Sequence, residues 1–134
     1  MTYHGGCLCG AITYTTHGSL RPVIACHCEQ CRKSSGHYVA ATSVAREQIE
    51  IRGKPVWYAS SDVARRGFCG IYGSSLFWDG AGANISIHAG TLDNTEGLSL
   101  KGHIFCADKG GYYEIEGDLP KAPQADPALT TKVE

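Results

Sequence analysis

The sequence predicts a mostly β fold, built from antiparallel sheets of short strands with only short helical turns. Runs of β-branched and aromatic residues recur along the 134-residue chain. Gly, Asp, Asn and Pro separate these runs at intervals of about 10 residues, which is typical of folded-sheet architectures. The 17 glycines agree with a chain that contains many tight turns.

The individual elements follow from these runs. The predicted strands are Ala11–Thr16, Val23–Ala25, Tyr38–Val44, Ile49–Ile51, Val56–Tyr58, Leu76–Trp78, Ile85–His88, His103–Cys106 and Tyr112–Ile115. Glu29–Ser35 and Ala45–Gln48 each have the composition for one helical turn, but both are too short to form a stable isolated helix. We expect a single domain over residues 1–122 and a poorly ordered, proline-containing tail over residues 123–134.

Composition and charge narrow the classes of function. The net charge is -1 and the sequence pI is about 6.6, unlike the basic surface of a nucleic-acid-binding protein. No apolar run approaches the roughly 20 residues that span a bilayer, so we expect neither a nucleic-acid nor a membrane partner. The first residues lack the apolar run of a signal peptide. These features predict a cytoplasmic protein whose thiols stay reduced.

Seven cysteines in a chain of this length require an explanation. A complete disulfide framework would leave one of the seven thiols unpaired. In a reducing compartment, closely spaced cysteines are more typical of metal sites than of disulfides. The sequence therefore favours metal binding.

The strongest metal-binding motif is the run Cys26-x-Cys28-x-x-Cys31. Side chains two residues apart in a strand point to the same side, so Cys26 and Cys28 can converge, and a turn after Cys28 brings Cys31 back toward them. Three thiolates supply three of the four ligands of a tetrahedral zinc ion. The fourth position is then left for water or a substrate thiol, as in catalytic zinc sites. The alternative is a set of buried or redox-active thiols.

A second, less complete motif combines Cys7-x-Cys9 with Cys69. Glycines on both sides of the first pair would let the backbone turn around an ion. The stretch that begins at Cys69 resembles half of a zinc knuckle, but Tyr72 stands where a second cysteine is expected. We expect the three cysteines to share a site with an incomplete ligand set. Water, a nearby histidine or no metal at all are the alternatives for the missing position.

Charged residues close to these motifs are candidates for substrate binding. Arg65 and Arg66 shortly precede Cys69 and can hold carboxylates by forked hydrogen bonds. Both can equally be solvated surface charges. Cys106 is expected to be a small buried side chain, with the completion of a metal site as its alternative role.

The order of these motifs resembles the glutathione-dependent formaldehyde-activating family, also called the centromere-protein-V/GFA domain family. The resemblance covers roughly residues 4 to 120. The segments that carry it are Gly6-Cys7-Leu8-Cys9-Gly10, Cys26-His27-Cys28-Glu29-Gln30-Cys31-Arg32, Phe68-Cys69, Gly73-Ser74-Ser75-Leu76-Phe77, Gly90-Thr91-Leu92-Asp93 and His103-Ile104-Phe105.

The resemblance implies a fold of the Mss4-like type and two zinc sites. The structural site would use Cys7, Cys9, Cys69 and the position held here by Tyr72. The active site would use the cysteines at 26, 28 and 31. The activity implied is the condensation of formaldehyde with glutathione to S-hydroxymethylglutathione, which is a carbon–sulfur lyase reaction in reverse.

Two functional hypotheses follow from the sequence. The first is a zinc-dependent, carbon–sulfur lyase-like enzyme whose partners are a small thiol such as glutathione and a small carbonyl compound. The second is a non-catalytic zinc-binding module that binds a ligand or a protein. The identity of the fourth ligand at the 26–31 site separates them, because a protein ligand favours structure and an exchangeable ligand favours chemistry. A redox sensor is a third possibility.

Overall fold

A computed structural model describes residues 1–131 of the chain. Over these residues it contains ten strands and two short α-helices, which confirms the mostly β fold. The strands are β1 (Thr2–Gly6), β2 (Thr13–His17), β3 (Val23–Cys26), β4 (Val39–Ala45), β5 (Ile49–Arg52), β6 (Val56–Ala59), β7 (Arg65–Phe68), β8 (Ser75–Asp79), β9 (Asn84–His88) and β10 (Leu100–Ile104). Helix α1 spans Glu29–Ser35 and helix α2 spans Pro127–Thr130.

The strands form two sheets that enclose the core. The smaller sheet has the order β1-β2-β5, and the larger has the order β10-β3-β4-β9-β8-β7-β6. Neighbouring strands are antiparallel, as predicted, except that β10 pairs with β3 in parallel. The core lies between the sheets, where the ring of Tyr14 from β2 meets the ring of Phe77 from β8 edge-on, with ring centres 5.5 Å apart.

Strand alternation sorts the larger sheet into an inner and an outer face. Ile85 and Ile87 of β9 belong to the core between the sheets. Because side chains alternate along a strand, Ser86 and His88 point to the outer face. This outer face carries the candidate functional site.

Two strands, β1 and β7, are missing from the sequence-based prediction because glycines interrupt their pattern. Gly5 and Gly6, expected to turn the chain around an ion, instead lie within β1. A β-carbon at Gly5 would collide with the hydroxyl group of Tyr14. In β7, a β-carbon at Gly67 would lie 2.7 Å from the Trp57 ring. Each glycine therefore makes room for an aromatic side chain of the neighbouring strand.

The predicted strand Tyr112–Ile115 was wrong, and the predicted His103–Cys106 strand ends two residues earlier. The free edge of β10 is already taken, since the His103 N–H donates to the Pro120 carbonyl at 2.9 Å and the Ala122 N–H donates to the His103 carbonyl at 2.9 Å. No sheet edge at this point is left for a strand from the 112–115 segment.

The last described residues pack against β3 and β10. The N–H groups of Phe105 and Ala107 donate to the carbonyls of Gln124 and Pro123. The Leu129 side chain lies over Gly102, where a β-carbon would come within 3.1 Å of it. Residues 132–134, the last part of the predicted tail, lie outside the described residues. No helix within residues 1–131 is long and apolar enough to cross a bilayer.

Candidate functional site

Three of the predicted metal ligands converge where strand β3 runs into helix α1. Cys26 is the last residue of β3, Cys28 is the N-cap residue of α1, and Cys31 lies in the first turn of that helix. Their sulfur atoms all lie within 4.8 Å of one another. We call these three residues the Cys26 cluster.

Helix α1 fixes the positions of two of these sulfurs. The Cys28 Sγ accepts the backbone N–H of Cys31 at 3.3 Å, a role that a side-chain oxygen usually plays at a helix start. The helix ends at Gly36, whose φ of 88° suits a glycine at this position. The short helix is thus capped at both ends and presents Cys31 toward the sheet.

The sulfurs of the Cys26 cluster differ in acidity. Hydrogen bonds from the thiols of Cys26 and Cys31 lower the pKa of Cys28 to about 2. Hydrogen bonding with Cys28 raises the pKa of Cys26. Cys28 is therefore the first thiol of the cluster to lose its proton. A divalent ion that binds all three sulfurs would displace the remaining protons, because thiolates are the ligating form.

A cavity of about 550 Å³ lies beside the Cys26 cluster, on the outer face of the larger sheet. This volume is in the range of small-molecule sites. The strand register places its floor residues side by side on neighbouring strands: Arg66, Trp78, Ser86, His88, Ala41 and Ile24. Helix α1 forms one wall, and residues 104–108 and 125–130 contribute the other.

Of the two predicted substrate-binding arginines, Arg66 lines this cavity. Its Nη2 donates to the Gln30 Oε1 at 3.4 Å and lies 3.8 Å from the Cys31 Sγ. No carboxylate within residues 1–131 forms an ion pair with Arg66. The nearest groups able to carry negative charge are therefore the cysteine sulfurs.

Arg65 points to the other side of strand β7, because adjacent residues in a strand alternate. Its Nε donates to the Asp79 Oδ2 at 2.9 Å, and its guanidinium carbon lies 4.0 Å from the centre of the Trp57 ring. These contacts bind Arg65 to the edge of the sheet rather than to the cavity.

The cavity floor also contains residues that the sequence analysis did not single out, above all His88 and Trp78. Burial lowers the pKa of His88 to about 4, so its ring is neutral at pH 7. The sequence signal that could have found His88 is the alternation of Ile85 and Ile87 with Ser86 and His88. It indicates a face opposite the core, although it does not say that a cavity lies there.

The other three predicted ligands form a second group, the Cys7 cluster. The Sγ atoms of Cys7 and Cys9 are 3.5 Å apart, and those of Cys9 and Cys69 are 3.6 Å apart. Backbone N–H groups hold two of the sulfurs, from Ile12 to Cys7 at 3.2 Å and from Tyr72 to Cys69 at 3.4 Å. The hydrogen bond from Tyr72 lowers the pKa of Cys69 to about 7.

Tyr72 itself turns its side chain to solvent, with 59% of its surface exposed. Ile71 in the same turn and Leu8 in the turn after β1 are exposed as well. Within the described residues, no fourth His, Cys, Asp or Glu atom joins either sulfur cluster. Each cluster therefore offers three protein ligands.

Both clusters can hold a metal ion, and the sulfur spacing of the Cys7 cluster fits zinc. A tetrahedral ion with Zn–S bonds of 2.3 Å keeps its sulfurs about 3.8 Å apart. The distances of 3.5 and 3.6 Å in the Cys7 cluster are close to that value. Thiolates are also the donors that zinc prefers in closely spaced cysteine motifs.

Neither Cys106, the alternative ligand, nor His27, which lies between two ligands in the sequence, takes part in either cluster. The ring of His27 lies between Tyr113, whose hydroxyl is 2.5 Å from Nδ1, and His103, whose Nδ1 is 2.9 Å from Nε2. These contacts anchor the Cys26–Cys28 segment from behind. Cys106 is half-buried in a 3₁₀ turn and does not complete a ligand set.

Comparison with known proteins identifies the family and the fold of this chain. The family profile of glutathione-dependent formaldehyde-activating enzymes matches residues 2–108. An uncharacterized lyase of Schizosaccharomyces pombe is 29% identical over 116 residues, which cover 84% of this chain and 85% of the yeast protein. A crystal structure of a Rhodobacter sphaeroides protein shares the fold, with a TM-score of 0.57 at 20% identity over 88% of this chain and 98% of that one. The chain therefore belongs to the family of glutathione-dependent formaldehyde-activating enzymes.

Proposed function

We propose that the Cys26 cluster holds a zinc ion and that the protein makes or breaks a carbon–sulfur bond in the adduct of a thiol with a small carbonyl compound. Formation of S-hydroxymethylglutathione from glutathione and formaldehyde is the reaction that family membership supports. The observation that carries the proposal is the convergence of three cysteine sulfurs beside a cavity of about 550 Å³.

The reaction balances without any further reactant. The thiol sulfur bonds to the carbonyl carbon, the carbon–oxygen double bond opens, and the thiol proton ends on the oxygen as a hydroxyl group. The reverse step returns the free thiol and carbonyl. Zinc, when bound, lowers the pKa of a coordinated thiol from about 8.5, so that thiolate is available at neutral pH.

The residues around the cluster support this chemistry in three ways. Three protein ligands leave one coordination position for a substrate sulfur. The positive charge of Arg66, 3.8 Å from the Cys31 Sγ, offsets part of the negative charge that a further thiolate brings. Trp78 and Phe105 add apolar surface to the cavity that adjoins the cluster.

A rate measurement on zinc-loaded protein tests the proposal. The adduct also forms in buffer, so the quantity to measure is the acceleration of exchange between free formaldehyde and the adduct. We expect Cys28→Ala to lower this acceleration by about 100-fold or more, because a lost metal ligand removes several kcal/mol of charge stabilisation. Cys106→Ala removes a cysteine that belongs to neither cluster and should leave the rate unchanged.

The competing hypotheses give different results in the same assay. An exchange rate equal to that of buffer, with one zinc ion bound at the Cys26 cluster, would reject the enzyme and favour the non-catalytic module. Reversible loss of that zinc ion with peroxide would favour a redox sensor. The assay is run in reducing buffer, because the predicted cytoplasmic compartment keeps thiols reduced.

A further inference from the structure

One residue of the cavity wall has a backbone conformation that its side chain disfavours. Phe105 has a φ of 54° and a ψ of 38°, in the left-handed region. Within residues 1–131, all other positive φ values belong to glycines. For a bulky side chain this conformation is strained, whereas glycine or asparagine adopts it readily. The turn alone therefore does not explain why a phenylalanine stands at this position.

Hydrogen bonds of the neighbouring backbone hold Phe105 in this conformation. The Phe105 N–H donates to the Gln124 carbonyl at 3.1 Å. The next N–H, of Cys106, donates to the Ala122 carbonyl at 3.0 Å. The Phe105 carbonyl accepts the N–H of Asp108 at 3.1 Å, which begins a 3₁₀ turn. Because these bonds fix the chain on both sides of the residue, the strain persists in the folded protein.

Strand pairing places Phe105 beside the cysteine ligands. Ile104, the last residue of β10, is the partner of Cys26 in the parallel pairing of β10 with β3. The Ile104 carbonyl also accepts the N–H of His27 at 3.1 Å. Phe105 therefore leaves the larger sheet at the point where the chain passes from Cys26 to Cys28.

Phe105 belongs to the cavity wall and not to the core. The residue is half-buried, and it lines the cavity of about 550 Å³ together with Cys26 and Cys28. It takes no part in the apolar cluster between the two sheets. Packing of the core therefore does not account for the ring, whereas contact with a bound molecule does. Strained residues that the surrounding structure holds in place cluster at such ligand sites.

We infer that Phe105 is a binding residue for the thiol, and that its ring packs against the methylene groups next to the reacting sulfur. The inference rests on the proposed thiol chemistry and identifies a residue that contacts the substrate of that reaction. The strained turn holds the ring at a fixed place beside the Cys26 cluster, so little conformational freedom is lost when the thiol binds. The charged ends of glutathione stay free to face Arg66, which lines the same cavity and has no carboxylate partner within residues 1–131.

The test measures glutathione binding and stability on the same variant. In protein loaded with Co²⁺ in place of zinc, the sulfur-to-cobalt absorption band reports thiol binding independently of turnover. We expect Phe105→Gly to weaken glutathione binding by about tenfold, because the variant loses the apolar contact of one aromatic ring. Its midpoint of urea denaturation should equal or exceed that of the wild type, since glycine removes the strain of the left-handed turn.

Three further variants serve as controls. Phe105→Asn also tolerates the left-handed turn and should reproduce both results, so the test stands even if Phe105→Gly loosens the loop. Phe105→Tyr keeps the ring and should bind glutathione within about twofold of the wild-type Kd. Cys28→Ala lacks a ligand of the Cys26 cluster, so any absorption change that remains in this variant belongs to the Cys7 cluster and is subtracted.

The outcomes separate this inference from the proposal on which it depends. Unchanged glutathione affinity in Phe105→Gly and Phe105→Asn would overturn the binding role and leave the carbon–sulfur chemistry intact. A marked fall of the urea midpoint in both variants would also overturn it, because the ring would then be a structural residue. A wild-type cobalt spectrum that does not respond to glutathione would overturn the thiol chemistry and this inference with it.

Discussion

The two cysteine clusters share one donor set and differ in their surroundings. The Cys26 cluster lies between a helix and a sheet face, beside a cavity and the charge of Arg66. The Cys7 cluster lies where two turns meet the edge of the core: Cys7 and Cys69 are buried, Cys9 is exposed, and two of the sulfurs are held by backbone N–H groups. The comparison teaches that three thiolates alone do not define a role. A cavity favours chemistry, whereas a junction of distant turns favours stabilisation.

The largest expected effect comes from breaking the Cys7 cluster. It joins Cys9 to Cys69, which are 60 residues apart, whereas the Cys26 cluster spans only Cys26 to Cys31. By the loop-closure relation for cross-links, an ion at the first site should contribute about 4 kcal/mol and one at the second about 2 kcal/mol. We expect Cys69→Ala to lower the free energy of unfolding more than Cys28→Ala does. Urea denaturation of both zinc-loaded variants measures this difference, and the reverse order would contradict the assigned roles.

His88, which lines the cavity beside the Cys26 cluster, makes the stability of the protein depend on pH. Its pKa in the folded state is about 4 because it is buried, against 6.5 for an ordinary histidine. The unfolded chain therefore takes up this proton first as the pH falls. The contribution of His88 to the free energy of unfolding is complete above pH 6.5. It should fall by up to about 3 kcal/mol as the pH is lowered from 6.5 to 4.

The His88→Gln variant isolates this contribution. Its stability should fall less steeply than that of the wild type over the same pH range, as measured by thermal unfolding in a series of buffers. Protonation of the cysteines affects both proteins equally and cancels in the difference. Identical pH profiles would show that His88 is not buried in its neutral form.

Tyr72→Cys sharpens the comparison by completing the Cys7 cluster. A fourth thiolate should slow the release of zinc to a chromophoric chelator by about tenfold and raise the free energy of unfolding by about 1 to 2 kcal/mol. Tyr72→Phe is the matched control, because it removes only a hydroxyl group from a side chain that is 59% exposed. Faster release in Tyr72→Phe would show that the phenol is itself a ligand.

The smallest expected effect concerns the chain end that closes the cavity. Leu129 packs over Gly102, and Leu129→Ala should cost about 1 kcal/mol at this half-buried position. Thiol binding at the Cys26 cluster should weaken, whereas zinc release from the Cys7 cluster should stay unchanged. A parallel change at both clusters would mean that the substitution acts on the whole fold.

Local patterns in the sequence were sufficient for much of this structure. The spacing of Cys26, Cys28 and Cys31 predicts their convergence, because a strand and a single turn bring the sulfurs together without help from distant residues. The mostly β fold follows from the same short-range signals. Strand β7 was missed because its Gly67 has no pattern until the Trp57 ring is placed over it.

The cavity could not be predicted in this way. Its floor depends on which strands are neighbours, and strand register is a non-local property. Arg65 and Arg66 are equivalent in sequence, and only the pairing of β7 with β8 decides which of them faces the metal site. Arg21 donates hydrogen bonds to three backbone carbonyls, and these bonds likewise cannot be predicted before the chain end is placed.

The parallel pairing of β3 with β10 has a consequence for biosynthesis. Cys26 pairs with Val39 of β4 and with Ile104 of β10, and the second pairing forms only after nearly the whole chain has left the ribosome. At typical translation speeds this delay is on the order of 10 s. During that interval β3 has its β4 neighbour but not its β10 neighbour. The sheet beside the Cys26 cluster is therefore completed late in synthesis, after the ligands themselves have been made.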